Sequence, residues 1–424
     1  MKTLRRNYDK DRFIVLPNCL LLEILSHLNA KQAVQTCVLS TTWKNIWKDL
    51  PVLSLNSSYF KTIKSFTNFV SQILSLRNDR TSLQSLNFQS RLGNIKPHLL
   101  KRILDYASSP NLQLLHLSMA CNIQPFSLCN FSSHTLTSLN LTSYRKNDSQ
   151  TPLLFPNSLI LPALTYLSIH SFSFCSGDDG YAKLFSAFKC LNTLIILSCQ
   201  VLSHKKLSIS SVSLVNFTIK ACSFKFELST PNLCSFCFRG LPLQKKLCAR
   251  NSNNNFSSIK NVNIVIPIWT KISSVKKYPS ILFNWLAELS LMKSLTICPK
   301  TLEILDLIPD SSKVDFPYLH NLKLLKIYEL SSITNGMGEF LLQNAPSAKK
   351  VIKHLPRTSL DALITKFFPR EFCISRYQTL QPARSPNPHH NGLRSSDAAG
   401  SSELIFSKPL LTYRNVLNSN AAAG

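Results

Sequence analysis

Leu191-Asn192-Thr193-Leu194-Ile195-Ile196-Leu197-Ser198-Cys199 puts an apolar residue at the first, fourth and sixth places of a short run. The same Leu-x-x-Leu-x-Leu spacing opens at Leu83 (with Leu86, Phe88), Leu112 (Leu115, Leu117), Leu136 (Leu139, Leu141) and Leu164 (Leu167, Ile169). After Leu191 it returns at Leu214 (Phe217, Ile219), Leu233 (Phe236, Phe238), Ile259 (Val262, Ile264), Met292 (Leu295, Ile297) and Leu319 (Leu322, Leu324). The openings are 29, 24, 28, 27, 23, 19, 26, 33 and 27 residues apart. The fourth and sixth residues of a unit lie on one side of an extended chain, so each unit predicts a short strand with one apolar face. No unit of this length encloses that face alone. Stacked neighbours do, which predicts a repeat array over residues 81–335.

The spacing and period are those of a leucine-rich repeat, and the uneven intervals predict an irregular solenoid. Cys199 and Cys222 stand where such a repeat carries the asparagine or cysteine that satisfies backbone groups in the turn, whereas Ala120 and Tyr144 stand there in other units. The motif leucines are core residues by the ordinary burial ranking. Binding to a target then falls to exposed positions just after the opening residue, and the candidates are Gln113, Thr137, Thr165, Asn192 and Asn216, with Cys234. The ordinary alternative for such polar residues is a solvated face.

Residues 11–55 have a different texture. Pro17 suits a first helical turn, and Leu21, Ile24, Leu25 and Leu28 recur at helical spacing. Asn29 and Gln32 form a capping-box pair ahead of a second helix, in which Ala33, Val34, Cys37, Val38 and Thr41 are expected to share a face. Trp43, Ile46, Trp47 and Leu50 give a third short helix that Pro51 ends. Asp11-Arg12, Leu16-Pro17, Leu21-Leu22-Glu23-Ile24-Leu25-Ser26-His27-Leu28, the run Lys31 to Ser40, Trp43-Lys44 and Trp47-Lys48 together resemble an F-box. With the repeats behind it, the chain resembles the plant F-box/leucine-rich-repeat family, whose members often end in an FBD domain. The resemblance implies docking on a Skp-type adaptor of a cullin-RING (SCF) ubiquitin ligase through Leu16, Pro17, Ile24, Leu25, Leu28, Val34, Trp43 and Trp47, while the repeats hold a target protein. Forty residues cannot enclose so many apolar side chains, so some are expected to face outward. The alternative is a helical cap on the array.

Phe340-Leu341-Leu342-Gln343-Asn344-Ala345-Pro346-Ser347-Ala348-Lys349-Lys350 resembles the start of an FBD domain, which gives a partial FBD-like segment at 336–372. Residues 375–424 are rich in Pro, Ser, Asn and Gly without periodicity and predict a disordered tail. The fold class expected is therefore α/β: a three-helix F-box, an irregular leucine-rich-repeat solenoid, and that tail.

Composition bounds the chemistry. A 424-residue chain with 44% hydrophobic and 16% charged residues folds over most of its length. Its net charge of +27 divides as +4 over residues 1–55, +16 over 56–345 and +7 over 346–424. Without basic runs longer than a doublet, dedicated nucleic-acid binding is disfavoured, although a polyanion- or nucleic-acid-binding repeat scaffold without adaptor engagement is the alternative function. The nine glycines offer no phosphate-cradling loop, since Leu341 stands where the Gly336-Met337-Gly338 run needs a third. Thirteen scattered cysteines read as reduced thiols in a cytoplasmic or nuclear protein. The first twelve residues lack the apolar core of a secretory signal, and no run is long enough to span a membrane. Cys234-x-x-Cys237 lacks a second ligand pair, His389-His390 lacks partners, and Asp178-Asp179 reads as a solvated pair. No cofactor, metal or catalytic set is expected, and the chain is expected to be a non-catalytic subunit.

Overall fold

Each apolar unit forms one strand and the next unit lays its strand alongside, so the computed structural model contains a twelve-stranded parallel sheet whose strand order is the order of the chain. The structure describes residues 16–78, 81–120, 131–144, 153–156, 159–175, 181–182, 185–202, 206–248, 256–267, 270, 277–309, 316–329 and 336–354. The strands are β1 (Val52–Asn56), β2 (Ser85–Asn94), β3 (Leu114–Ala120), β4 (Ser138–Tyr144), β5 (Tyr166–His170) and β6 (Thr193–Leu197). They continue as β7 (Asn216–Lys220), β8 (Ser235–Arg239), β9 (Asn261–Val265), β10 (Ser294–Ile297), β11 (Leu324–Glu329) and β12 (Lys349–His354).

Register makes two continuous inward rows. Leu53 lies opposite Leu86, Leu86 opposite Leu115, and the row runs through Leu139, Leu167, Leu194, Phe217, Phe236, Val262 and Leu295 to Leu325. The second row runs from Leu55 and Phe88 to Ile297 and Ile327, and every member of both rows is buried. At about 1.5–3 kcal/mol per buried side chain, these rows are the main favourable term of the array. A ladder at the strand entrances fixes the register: the Pro51 carbonyl accepts the N–H groups of Gln84 and Ser85 at 2.8 and 3.2 Å, and the Gln84 carbonyl those of Gln113 and Leu114 at 2.9 and 3.1 Å.

Two unit assignments are corrected. Leu50, Leu53 and Leu55 form a unit of their own, with Leu50 closing the helical segment and β1 already in the sheet. The segment at 11–55 is thus continuous with the array. The last unit is framed by Leu322, Leu325 and Ile327, three residues later than the Leu319 frame. Leu319, Leu322 and Leu325 are equally spaced, so the sequence allows two frames. Pairing of Leu325 with Leu295 selects the later one and leaves Leu324 half-buried on the other face.

Unit length decides what covers the inner side. The 29-residue interval holds helix α5 (Pro97–Ala107) and the 33-residue interval holds α6 (Tyr278–Glu288). The 19- and 23-residue intervals fit only strands, Lys225–Ser229 and Lys206–Ser210, which pair in parallel with each other. Amphipathic α4 (Ile63–Leu76) precedes β2, while α7 (Pro299–Leu305) and α8 (Gly336–Gln343) flank β11. Trp285 of α6 is fully enclosed, its ring centroid 4.8 Å from that of Phe238 and its Nε1–H donating to the Gln244 carbonyl at 3.0 Å.

The turns leaving β5, β6 and β7 share one device. Ser171, Ser198 and Ala221 take positive φ of 60°, 50° and 54°, and their N–H groups donate to the Leu197, Lys220 and Arg239 carbonyls. Cys199 Sγ donates to the Leu197 carbonyl at 3.3 Å and Cys222 Sγ to that of Lys220 at 3.2 Å. These thiols satisfy turn carbonyls, and burial raises the Cys222 pKa well above the usual thiol range. The tail expected at 375–424 and the second half of the segment expected at 336–372 lie outside the described residues; within the first half of the latter, α8 and β12 are formed.

Candidate functional site

The helical segment sorts its apolar residues onto two faces. Helix α1 (Asn18–Ser26) starts at Pro17, whose carbonyl accepts the N–H groups of Leu20 and Leu21 at 3.0 and 3.2 Å. Leu21 and Leu25, one turn apart, are fully buried; Leu20 and Ile24, also one turn apart, are 49% and 42% exposed. Helix α2 (Ala30–Gln35) opens with the expected capping box: Asn29 Oδ1 accepts the Gln32 N–H at 3.0 Å and Gln32 Oε1 accepts the Asn29 N–H at 3.4 Å.

Ala30 and Ala33 of α2 face inward, but the helix does not carry that face to Val38 as the periodicity suggests. At Thr36 the chain tightens into a 3-10 turn, with Thr36 Oγ1 donating to the Ala33 carbonyl at 2.7 Å. The changed rise and rotation swing the next apolar pair outward. Val38 is 82% and Leu39 63% exposed. Helix α3 (Trp43–Ile46) then buries Trp43, Ile46 and, in the following turn, Trp47.

The eight adaptor candidates therefore divide. Leu25, Trp43 and Trp47 are enclosed by their own chain and offer no surface, because they form the small core on which α1, α2 and β1 rest. Pro17 and Ile24 are exposed, and Leu16, Leu28 and Val34 are half-buried against that core. The adaptor set expected from the sequence left out Leu20, Val38 and Leu39.

The target candidates belong largely to the entrance ladder. The carbonyls of Gln113, Thr137, Thr165 and Asn192 each accept two N–H groups from the next unit at 2.9–3.0 Å. Thr137 and Thr165 turn their hydroxyls back onto the Gln113 and Thr137 carbonyls, and Asn216 Nδ2 donates to Asn192 Oδ1 at 3.2 Å. Their first role is to hold register. Three rows of side chains lie on the opposite side of the sheet from the core, mostly half-buried: one from Val52 to Lys349, one from Ser54 to Val351 and one from Asn56 to Tyr328.

Groups that could carry chemistry are dispersed. Among the described residues no three His, Cys, Asp or Glu side chains come together to hold a metal ion, and Cys234 and Cys237 lie on the β8 repeat. Glu288 Oε2 accepts the N–H groups of Leu247 and Cys248 at 3.0 and 3.2 Å, a backbone clasp within the fold. Asp178-Asp179 and His389-His390 lie outside the described residues. No described helix is long and apolar enough to cross a membrane.

Comparison with known proteins agrees with this anatomy. The F-box domain matches residues 13–55. The F-box/FBD/LRR-repeat protein At5g44980 of Arabidopsis thaliana is 25% identical over 81% of this chain and 79% of its own length. The FBD-associated F-box protein At1g66310 is 28% identical over 80% and 75%, and the F-box protein At1g60400 is 26% identical over 70% and 72%, both from Arabidopsis thaliana.

Proposed function

We propose that this chain, which carries an F-box domain and is similar over most of its length to plant F-box/FBD/LRR-repeat proteins, is the target-recognition subunit of an SCF-type cullin-RING ubiquitin ligase. In this reading the box docks on a Skp-type adaptor that joins it to the cullin scaffold. The twelve-stranded sheet is a leucine-rich-repeat array that carries a protein target, and residues 336–372 form an FBD-like segment. The subunit has no chemistry of its own. It acts by proximity, turning the encounter of a target lysine with a charged conjugating enzyme into a nearly intramolecular event. Its compartment is then the cytoplasm, the nucleus or both.

The observation that carries the reading is the outward set Leu20, Ile24, Val38 and Leu39 on a module that has already enclosed Leu21, Leu25, Trp43 and Trp47. A helical cap whose only task was to close the array would turn those four inward. Apolar side chains left in water at this density mark a partner surface. The test is co-expression of the full chain with tagged Skp-type adaptors followed by size-exclusion chromatography. The proteins should coelute, and Ile24→Asp with Val38→Asp should separate them while the helical circular dichroism is kept. Absence of coelution across an adaptor panel refutes the assignment.

A further inference from the structure

We propose that the half of the sheet's solvent face built by β7 to β12 binds a carboxylate-rich, acidic segment of a protein. The inference deepens the preceding reading, since it names the class of target that the repeat sheet holds.

The two halves of the three outward rows differ in charge. From β1 to β6 the only titratable cations in the rows are His116 and His170, whose imidazoles burial holds below their ordinary pKa. From β7 to β12 they carry Lys220, Arg239, Lys326 and Lys349. Among the described side chains, no Asp or Glu stands in these rows. A further row at the strand entrances adds Lys260, Lys293 and Lys323, all exposed. Their backbones are consecutive rungs of the ladder: the Lys260 carbonyl accepts the Lys293 N–H at 2.9 Å, and the Lys293 carbonyl accepts the Lys323 N–H at 2.9 Å. Neighbouring strands lie roughly 4.8 Å apart, so these are three like charges in a line.

Like charges directly opposite on paired strands destabilise a sheet. The fold repeats the arrangement: Lys220 of β7 is register partner to Arg239 of β8, and burial with the nearby guanidinium holds the Lys220 ammonium below its ordinary pKa. Among the described residues, no carboxylate lies within ion-pair distance of Lys220, Lys260, Lys293, Lys323 or Lys326. An external anion relieves the repulsion along the exposed Lys260, Lys293 and Lys323 line.

One observation favours a peptide over nucleic acid. Single-stranded nucleic acids are gripped by aromatic platforms set among cations. In this half of the rows the aromatic side chain is Tyr328 alone, and the neighbours of the cations are Asn216, Thr218, Asn261 and Thr296.

The test is fluorescence anisotropy on the full chain with three probes: a labelled Glu/Asp-rich peptide, its Gln/Asn counterpart, and a single-stranded oligonucleotide of equal charge. The acidic peptide should bind at least about tenfold more tightly than the neutral one and weaken as salt rises. Lys260→Glu, Lys293→Glu and Lys323→Glu together should cost about tenfold or more, with Lys101→Glu on α5 as the unaffected control. The milder Lys→Gln triple should give an intermediate loss, which separates charge from misfolding. Equal binding of the two peptides, wild-type affinity in the triple variant, or tighter binding of the oligonucleotide overturns the proposal. Adaptor binding is measured on the same preparations. An adaptor-competent chain without peptide affinity refutes this inference alone, and peptide affinity without adaptor binding supports it while refuting the ligase reading.

Discussion

Replacing Val38 and Leu39 together by alanine tests the docking surface where it is least entangled with the fold. Both side chains leave a turn, and their exposures of 82% and 63% mean that the folded chain loses little packing when they are truncated. If a partner covers them, each contributes part of the ~1.5–3 kcal/mol of a fully buried aliphatic side chain. Truncation to alanine removes most but not all of that, so the pair is expected to cost about 2–3 kcal/mol of binding, or about 30- to 150-fold in Kd. Isothermal titration of the purified full chain with a Skp-type adaptor reads this directly, and a thermal melt of the unbound variant should lie close to wild type. Affinity within about twofold of wild type would show that the partner does not cover this turn. The matched core change, Leu25→Ala, should do the opposite: a loss of about 2–5 kcal/mol of stability, because the side chain is fully enclosed.

Three further outcomes follow from the fold. Trp285→Ala removes a fully enclosed ring and the donor to the Gln244 carbonyl, so urea unfolding should show a loss of about 3–5 kcal/mol. Ser198→Gly relieves a φ of 50° and deletes a buried hydroxyl that has no partner, and should raise stability by about 1 kcal/mol; a lower midpoint would contradict the strain argument. His116 and His170 are held below the ordinary 6.5 by burial, so the unfolded chain binds protons first as the pH falls. Their contribution is complete above that value and is lost as the pH drops below it, and a His116→Gln, His170→Asn variant should show a flatter midpoint between about pH 7 and 5.

The repeat rows were legible because the inward positions recur as Leu, Ile, Phe or Val at fixed offsets, and a strand has a two-residue period that leaves no choice of face once one residue is placed. Where the offset itself was degenerate, as at Leu319, Leu322 and Leu325, only pairing with β10 chose the frame. The unit at Leu50 was hidden because Pro51 reads first as the end of a helix. In the box, so many apolar residues in short helices admit several inward sets. The 3-10 turn at Thr36, which periodicity does not signal, decided that Val38 points out while Trp43 and Trp47 point in. The basic face was invisible for a related reason: its cations come from successive units, mostly about twenty to thirty residues apart in the chain, so charge runs do not reveal them, and stacking alone brings them together.

The direct passage from α3 through Leu50 into β1 leaves no hinge between the helical head and the sheet. Buried Arg77 fastens the junction, its Nε donating to the Tyr106 hydroxyl of α5 at 2.6 Å and its Nη2 to the Leu50 carbonyl, while Lys31 Nζ reaches the Tyr59 carbonyl at 2.8 Å. A cargo resting on the strands would ride as on a fixed bracket, so the swing needed to present successive lysines has to come from the cargo or from the machinery beyond the adaptor. The same continuity governs dissection: scissors applied after residue 55 tear β1 from β2, and a fragment so made is frayed at the very end that was meant to be kept whole.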